Sequence, residues 1–178
     1  MPEHMEILRT QTVFTGPKFA VVESRIRLAT GTVHRHVTVR HPGAVVILPC
    51  LADGTLLVIR QYRHSVQGVL LEFPAGTLEP GEEPLACAQR ELAEEVGQVA
   101  AGWEALGDLY PAPGFCDEKQ YCFYATELTP CMAVRDEDEL IEVVPIQAAE
   151  VEQAIRAGRM MDGKSIAVYT QAKLRGLV

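Results

Sequence analysis

Basic runs are missing from this sequence, and so is any interleaving of basic with aromatic residues. The formal net charge is −8, to which an acidic run over residues 136–139 contributes. Proteins that bind nucleic acids usually carry a basic patch or stripe as their electrostatic footprint. The composition therefore argues against a nucleic-acid partner.

Paired cysteines and long apolar runs are also missing. The five cysteines are an odd number and show no C-x-x-C spacing, which argues for a reducing compartment and against a zinc site or a disulfide framework. Residues 1–6 contain no apolar core of the signal-peptide kind. The longest apolar stretch, residues 44–52, is far shorter than a membrane span. We predict a cytoplasmic protein without a membrane partner.

Alternating polar and apolar residues indicate an N-terminal antiparallel β region over residues 1–42. Strands are predicted over 5–13, 18–29 and 32–41, with turns at Gly16-Pro17 and Thr30-Gly31. In the remaining domain, residues 43–178, further strands are predicted over 44–50, 55–62, 69–73, 103–110, 119–126 and 140–145, and helices over 84–96, 148–157 and 164–174. At 178 residues the chain is one domain of ordinary size with a small appendage. Periodicity by itself establishes only a mixture of α and β structure.

The first predicted helix carries two distinct faces. Its apolar residues recur at spacings of three and four, at Leu85, Ala88, Leu92 and Val96. At about 100° per residue, Glu91, Glu94 and Glu95 fall within a ~100° arc away from that stripe. Like charges at this spacing cost a few tenths of a kcal/mol per pair, a cost that a bound cation would turn into affinity. Oxygen ligands favour Mg²⁺ or Mn²⁺ over zinc, and Mg²⁺ usually bridges substrate phosphates as well.

The spacing around this helix is more specific than its charge. From Gly76 to Gly97 the residues follow the pattern G-x5-E-x7-R-E-L-x-E-E-x-G, which resembles the signature box of the Nudix hydrolases. One position departs from the family pattern, because Gln98 stands where an aliphatic residue is usual. That departure affects the packing of the loop after the helix and not the chemistry of the box. All the acids of the box are present.

Three segments outside the box resemble the ADP-ribose pyrophosphatase branch of that family. They are Arg60-Gln61-Tyr62-Arg63 followed by Leu71-Glu72-Phe73-Pro74-Ala75-Gly76, the loop Pro111-Ala112-Pro113-Gly114-Phe115-Cys116-Asp117-Glu118, and the acidic stretch 136–143. Ala112 replaces the usual Ser of the loop. The resemblance implies substrate-binding roles for Arg63, Glu72, Pro113, Gly114 and Glu118.

The resemblance also assigns roles within the box. Glu91 and Glu95 would be the principal metal ligands, Glu94 would be a further ligand or would act on the attacking water, and the backbone carbonyl of Ala75 would complete the set. Glu82 would hold Arg90, which keeps the acids oriented. The catalytic base would be Glu139 or Glu94, and the sequence does not decide between them.

The resemblance implies a fold and a reaction. The fold would be an α/β/α sandwich with a mixed sheet, preceded by the N-terminal β region that dimerises the related enzymes. The reaction would be Mg²⁺-dependent hydrolysis of a nucleoside diphosphate linked to a second group, with ADP-ribose favoured. Two alternatives remain open: another nucleotide sugar such as GDP-mannose, and a nucleotide-sensing regulator on the same scaffold that does not hydrolyse its ligand.

Overall fold

The computed structural model describes residues 5–132 and 140–178, which form two compact units. The first unit comprises residues 1–43 and 110–119. Its sheet has the order β1-β2-β3, all antiparallel, with β1 Glu6–Thr15, β2 Ala20–Arg27 and β3 Val33–Arg40. The three strands predicted from alternation are therefore present, within two residues at each end.

The loop between residues 110 and 119 is attached to this first sheet by its backbone. Val39 pairs in parallel with Cys116, the Val39 N–H donates to the Phe115 carbonyl (2.7 Å), and the Asp117 N–H donates to the Val39 carbonyl (3.1 Å). The loop extends the sheet beyond β3, a long-range pairing that local periodicity does not show.

The second unit is formed by residues 44–109 and 120–178. Its described residues form two sheets and three α-helices. The mixed sheet has the order β7-β4-β9-β8, with β4 and β9 parallel, and the antiparallel sheet has the order β10-β5-β6. The strands are β4 Ala44–Pro49, β5 Leu56–Arg63, β6 Gly68–Glu72, β7 Ala75–Thr77, β8 Gln98–Leu109, β9 Gln120–Pro130 and β10 Ile141–Ile146, and the helices are α1 Pro84–Glu91, α2 Ala148–Arg156 and α3 Gly163–Leu174. Within the described part of the chain, no helix has the length and apolarity to span a membrane.

The buried strand β4 separates two layers of core. Val45 and Ile47 point to one side, into a cluster with residues of α1, whereas Val46 and Leu48 point to the other, into a cluster with residues of α2 and α3. A strand buried on both faces reads as a continuous apolar run, as residues 44–50 do. Helices thus cover the sheets from both sides, and the predicted α/β/α sandwich is confirmed.

The glutamate-rich helix differs from its prediction at its end. The α-helix stops at Glu91, and Leu92–Val96 form a π-helical turn. The Gly97 N–H donates to the carbonyls of Ala93 and Leu92, and Gly97 has a φ of 72°, the left-handed conformation expected of a glycine cap. A π-turn inserts an extra residue into the helix and is frequent at functional sites. The prediction of a continuous α-helix over 84–96 is wrong in this last turn.

The buried stripe of that helix also differs. Leu85 is 40 % exposed, while Cys87 is fully buried beside Ala88 and Leu92. Cysteine behaves as a small hydrophobe when it is buried. Cys87, and not the predicted Leu85, therefore belongs to the buried face of the helix.

Two strand regions were not predicted. The three-residue strand β7 pairs with β4 through Ala75, Gly76 and Thr77, and it is too short to show alternation. Strand β8 begins at Gln98, opposite Pro130, five residues before the predicted start at 103. The residue that departs from the family pattern therefore begins a long antiparallel hairpin.

Candidate active site

Arg90, in the last turn of α1, binds Glu82 through a planar fork. Its Nε donates to Oε1 and its Nη2 to Oε2 of Glu82, both at 3.0 Å. Glu82 also accepts the Glu79 N–H at 2.9 Å. Paired N–H···O bonds of this kind give strength and a fixed orientation. The hydrogen bonds from Arg90 lower the pKa of Glu82 to about 2.

The third nitrogen of Arg90 holds two acids of the helix. Nη1 donates to Oε1 of Glu91 at 2.7 Å and to Oε2 of Glu94 at 3.0 Å. Hydrogen bonds to Glu82, followed by the charge of Glu91 and the hydrogen bonds to Glu91 and Glu94, raise the pKa of Arg90, which stays charged. We call these four residues the Arg90 cluster. One guanidinium faces three carboxylates, so the cluster carries an excess of negative charge that a cation can neutralise.

Glu91 and Glu95 lie against β7. A Cβ added at Gly76 would lie 1.8 Å from Cδ of Glu91, so only glycine lets this carboxyl group rest there. The Ala75 N–H donates to Oε2 of Glu95 at 3.0 Å, and Glu95 is 3 % exposed. Two carboxylates are therefore seated on consecutive residues of one short strand, next to the Ala75 carbonyl of the predicted ligand set.

The donors gathered here suit a hard divalent cation. Glu91, Glu94, Glu95 and the Ala75 carbonyl offer only oxygen atoms, the ligand type that Mg²⁺ and Mn²⁺ prefer. Burial raises the pKa of the neighbouring Cys87 thiol to about 12, so it provides no thiolate for a softer metal. In residues 5–132 and 140–178, no three His, Cys, Asp or Glu side chains are gathered as a metal-ligand cluster. Glu91 and Glu94 accept hydrogen bonds from Arg90.

A second charged group surrounds Glu72 at the end of β6. Glu72 is 1 % exposed, and Arg63 binds it bidentately, with Nε to Oε1 at 2.8 Å and Nη2 to Oε2 at 2.7 Å. Lys164 of α3 donates to the same Oε2 and lies 2.9 Å from Asp162. We call Arg63, Glu72, Asp162 and Lys164 the Glu72 cluster. Although burial opposes ionisation, the two cations lower the pKa of Glu72.

Arg63 is affected by the charge of Glu95 as well as by its own partner Glu72. Its pKa is raised first by the hydrogen bonds to Glu72 and further by the charges of Glu72, Glu95 and Asp162. The sequence singled out Arg63 and Glu72 but not Asp162 or Lys164. The available signal was weak: Asp162 begins a helix and Ser165 stands three residues later, which is an N-cap spacing and not a functional motif.

The predicted loop residues belong to the other compact unit. Both the Phe115 and the Cys116 N–H groups donate to the Ala112 carbonyl, which closes a turn over Pro113 and Gly114. The Glu118 N–H donates to Sγ of Cys116 at 3.4 Å.

Asp117, which the sequence did not single out, fixes this loop to the end of β3. It accepts Nη1 of Arg40 at 2.6 Å and the His41 N–H at 2.9 Å. Burial raises the pKa of Asp117, but these hydrogen bonds outweigh it and lower the pKa overall. Glu139, with the rest of the acidic stretch 136–139, lies outside the described residues.

The chain is similar to several known proteins. The NUDIX domain profile matches residues 39–163. The chain is 32 % identical to an ADP-ribose pyrophosphatase of Bacillus subtilis (strain 168), over 87 % of this chain and 85 % of the relative. It is 35 % identical to a GDP-mannose pyrophosphatase of Yersinia enterocolitica, over 81 % of this chain and 80 % of the relative. The crystal structure of an ADP compounds hydrolase superposes with a TM-score of 0.84 at 27 % identity, covering 99 % of this chain and 98 % of the other.

Proposed function

The chain belongs to the NUDIX family, and from that premise we propose that it is a Mg²⁺-dependent pyrophosphohydrolase of nucleoside diphosphate compounds, with ADP-ribose as its substrate. The products are AMP and ribose 5-phosphate. The observation that carries the proposal is the excess negative charge of the Arg90 cluster, one member of which, Glu91, lies against β7 together with Glu95.

The carboxylates of Glu91, Glu94 and Glu95 and the carbonyl of Ala75 hold the metal in this proposal. Bound Mg²⁺ supplies neutralisation of the pyrophosphate oxygens and makes the attacking water more acidic. Arg90 stays fixed on Glu82 and keeps Glu91 and Glu94 in position. These contacts act before substrate arrives and so reduce the reorganisation needed during the reaction.

Arg63 grips the pyrophosphate in this proposal, and Glu72 orients it. The pair with Glu72 uses Nε and Nη2 of Arg63 and not Nη1. The side chain of Arg63 is also one-third exposed. A guanidinium held on one edge presents its other edge to a phosphate oxygen in fixed geometry.

The catalytic base takes the proton of the attacking water. The water oxygen forms a bond to one phosphorus, the bridging P–O bond breaks, and the proton passes to a carboxylate. We assign this role to Glu139, with Glu94 as the competing candidate. A fall in kcat of about a hundredfold in Glu139→Gln, with Glu137→Gln much closer to wild type, supports Glu139. Equal small effects at positions 137 and 139 would leave Glu94 as the base.

Pro113, Gly114 and Glu118 contribute to substrate binding in the proposal.

The first unit also forms a homodimer, because all ten residues of the edge strand β1 are exposed, with Ile7, Val13 and Phe14 each more than half exposed. A long apolar edge strand is a site for pairing with another chain. Light scattering at micromolar concentration should give a dimer, and a monomer would remove this part of the proposal.

We place the enzyme in the cytoplasm. All five cysteines are free thiols, and disulfides are rare in reducing compartments. Fractionation of the producing cells, followed by immunodetection, tests this location.

Direct assay separates this function from its alternatives. ADP-ribose and GDP-mannose are each incubated with purified protein and Mg²⁺, with EDTA as the control, and AMP, GMP and sugar phosphates are quantified. Release of AMP from ADP-ribose that EDTA abolishes is expected. Faster hydrolysis of GDP-mannose would change the substrate. Binding of either nucleotide without any hydrolysis would favour the regulator.

A further inference from the structure

Lys164 is a half-buried cation at the first turn of α3. Its side chain is 14 % exposed and contacts two carboxylates, those of Glu72 and Asp162. Burying an ammonium group is costly unless it is paired and hydrogen-bonded. This half-buried charge is paired by direct contact with Glu72, a residue that also binds Arg63.

Lys164 and Arg63 fix Glu72 from two directions. Oε2 of Glu72 accepts bonds from both Nη2 of Arg63 and Nζ of Lys164, while Oε1 accepts Nε of Arg63. A carboxylate held at both oxygens has one orientation available. Since the guanidinium fork is planar, the orientation of Glu72 determines where Arg63 lies.

The same turn of α3 also holds the backbone that follows Glu72. The buried Phe73 N–H donates to Oγ of Ser165 at 2.7 Å, and Ser165 donates in turn to Oδ2 of Asp162 at 2.5 Å. Asp162 also caps the helix by accepting the Ser165 N–H at 3.0 Å. Consecutive residues of the chain, Glu72 and Phe73, are thus fastened to one helix end, two positions before the strand that seats Glu91 and Glu95.

We propose that Lys164 is a positioning residue for the pyrophosphate: acting through Glu72, it sets the place of the Arg63 guanidinium. The inference rests on the proposed function and extends it to a residue of α3, outside the box. Lys164 itself directs its charge to two carboxylates, so its influence on the substrate passes through Glu72 and Arg63.

A double-mutant cycle tests this inference. Lys164→Met is made in the wild type and in Glu72→Gln, and kcat and KM for ADP-ribose are measured at saturating Mg²⁺. In the wild-type background we expect KM to rise about tenfold with kcat within about threefold, because Arg63 grips the pyrophosphate in the ground state as well as in the transition state. In the Glu72→Gln background the same substitution should change KM by less than about twofold, since its partner is already altered.

Lys173→Met is the matched control. Lys173 lies on the same helix and also pairs with a glutamate, Glu152, but at the surface. Its kinetics should equal those of the wild type. If Lys164→Met does not fold, as judged by circular dichroism, Lys164→Gln replaces it, which keeps a hydrogen-bond donor without the charge.

The outcomes separate the inference from the function. An active wild type with unchanged kcat and KM in the Lys164 variant overturns the positioning role, even if the melting temperature falls. Additive effects of the Lys164 and Glu72 substitutions overturn it too, because Lys164 would then act independently of Glu72. A wild type that hydrolyses neither ADP-ribose nor GDP-mannose overturns the proposed function itself.

Discussion

The two charged clusters of the second unit differ in burial and in charge balance. The Arg90 cluster sets one guanidinium against three carboxylates that are partly exposed. The Glu72 cluster sets two cations against two carboxylates, and its central residue is almost completely buried. A buried group approaches neutrality because unpaired charge is costly there, whereas an accessible negative excess can attract a cation. The contrast assigns metal binding to the first cluster, together with Glu95 on the Ala75 N–H, and positioning to the second.

The largest expected effect on activity comes from Glu95, whose carboxylate accepts the Ala75 N–H of β7. Glu95→Gln removes one ligand charge at nearly constant shape, so kcat for ADP-ribose should fall about 10²–10³-fold or more while the fold is kept. Steady-state kinetics and circular dichroism measure the two properties. Glu104→Gln, which alters only a surface ion pair with Arg175, is the control. Hydrolysis by Glu95→Gln within about threefold of wild type would contradict the assignment of this ligand.

Gly76→Ala sharpens the contrast without changing any charge. The new Cβ would lie 1.8 Å from Cδ of Glu91, so that carboxylate has to move, and a displacement of about 1 Å at a reacting site can cost about 10²-fold. We expect kcat/KM to fall by about that factor. Gly163→Ala, at the start of α3, meets nothing within 4 Å and should retain wild-type activity. Equal activities in the two variants would show that the seat of Glu91 is unimportant.

The smallest effect concerns pH and stability. The pKa of Glu82 is lowered from 4.5 to about 2 in the folded protein, so its contribution is fully present above pH 4.5 and is lost as the pH falls toward 2. Glu82→Gln should cost about 1–3 kcal/mol of unfolding free energy at pH 6. The difference from wild type should shrink by roughly half or more at pH 3.

Urea unfolding of both proteins at the two pH values measures this change. A difference that stays constant between pH 6 and pH 3 would mean that the ion pair between Glu82 and Arg90 does not stabilise the fold.

Much of this molecule could be predicted because its signals are local. The alternation of β2 and β3, the continuous apolar run of β4 and the fixed spacing of Gly76, Glu82 and Arg90 each depend on nearby residues. The spacing carried the resemblance to the family, and that resemblance implied the sandwich fold; both are confirmed.

The features that escaped prediction depend on distant contacts. Strand β7 exists through its pairing with β4, and Lys164 meets Glu72 across 92 positions of sequence. The π-turn after Glu91 breaks the 3.6-residue period on which the helix prediction relied. Attachment of the loop to Val39 likewise joins segments far apart in the chain. Tertiary pairing of this kind leaves no periodic trace in the sequence.

Manganese binding in the absence of substrate tests the central contrast most directly. Mn²⁺ is titrated into the wild type, Glu95→Gln and Glu72→Gln, and free Mn²⁺ is followed by electron paramagnetic resonance. We predict that Glu95→Gln binds Mn²⁺ at least about tenfold more weakly than wild type, while Glu72→Gln stays within about threefold of it. Equal affinities of wild type and Glu95→Gln, or an equal loss in Glu72→Gln, would contradict the division of the two clusters into a metal site and a positioning site.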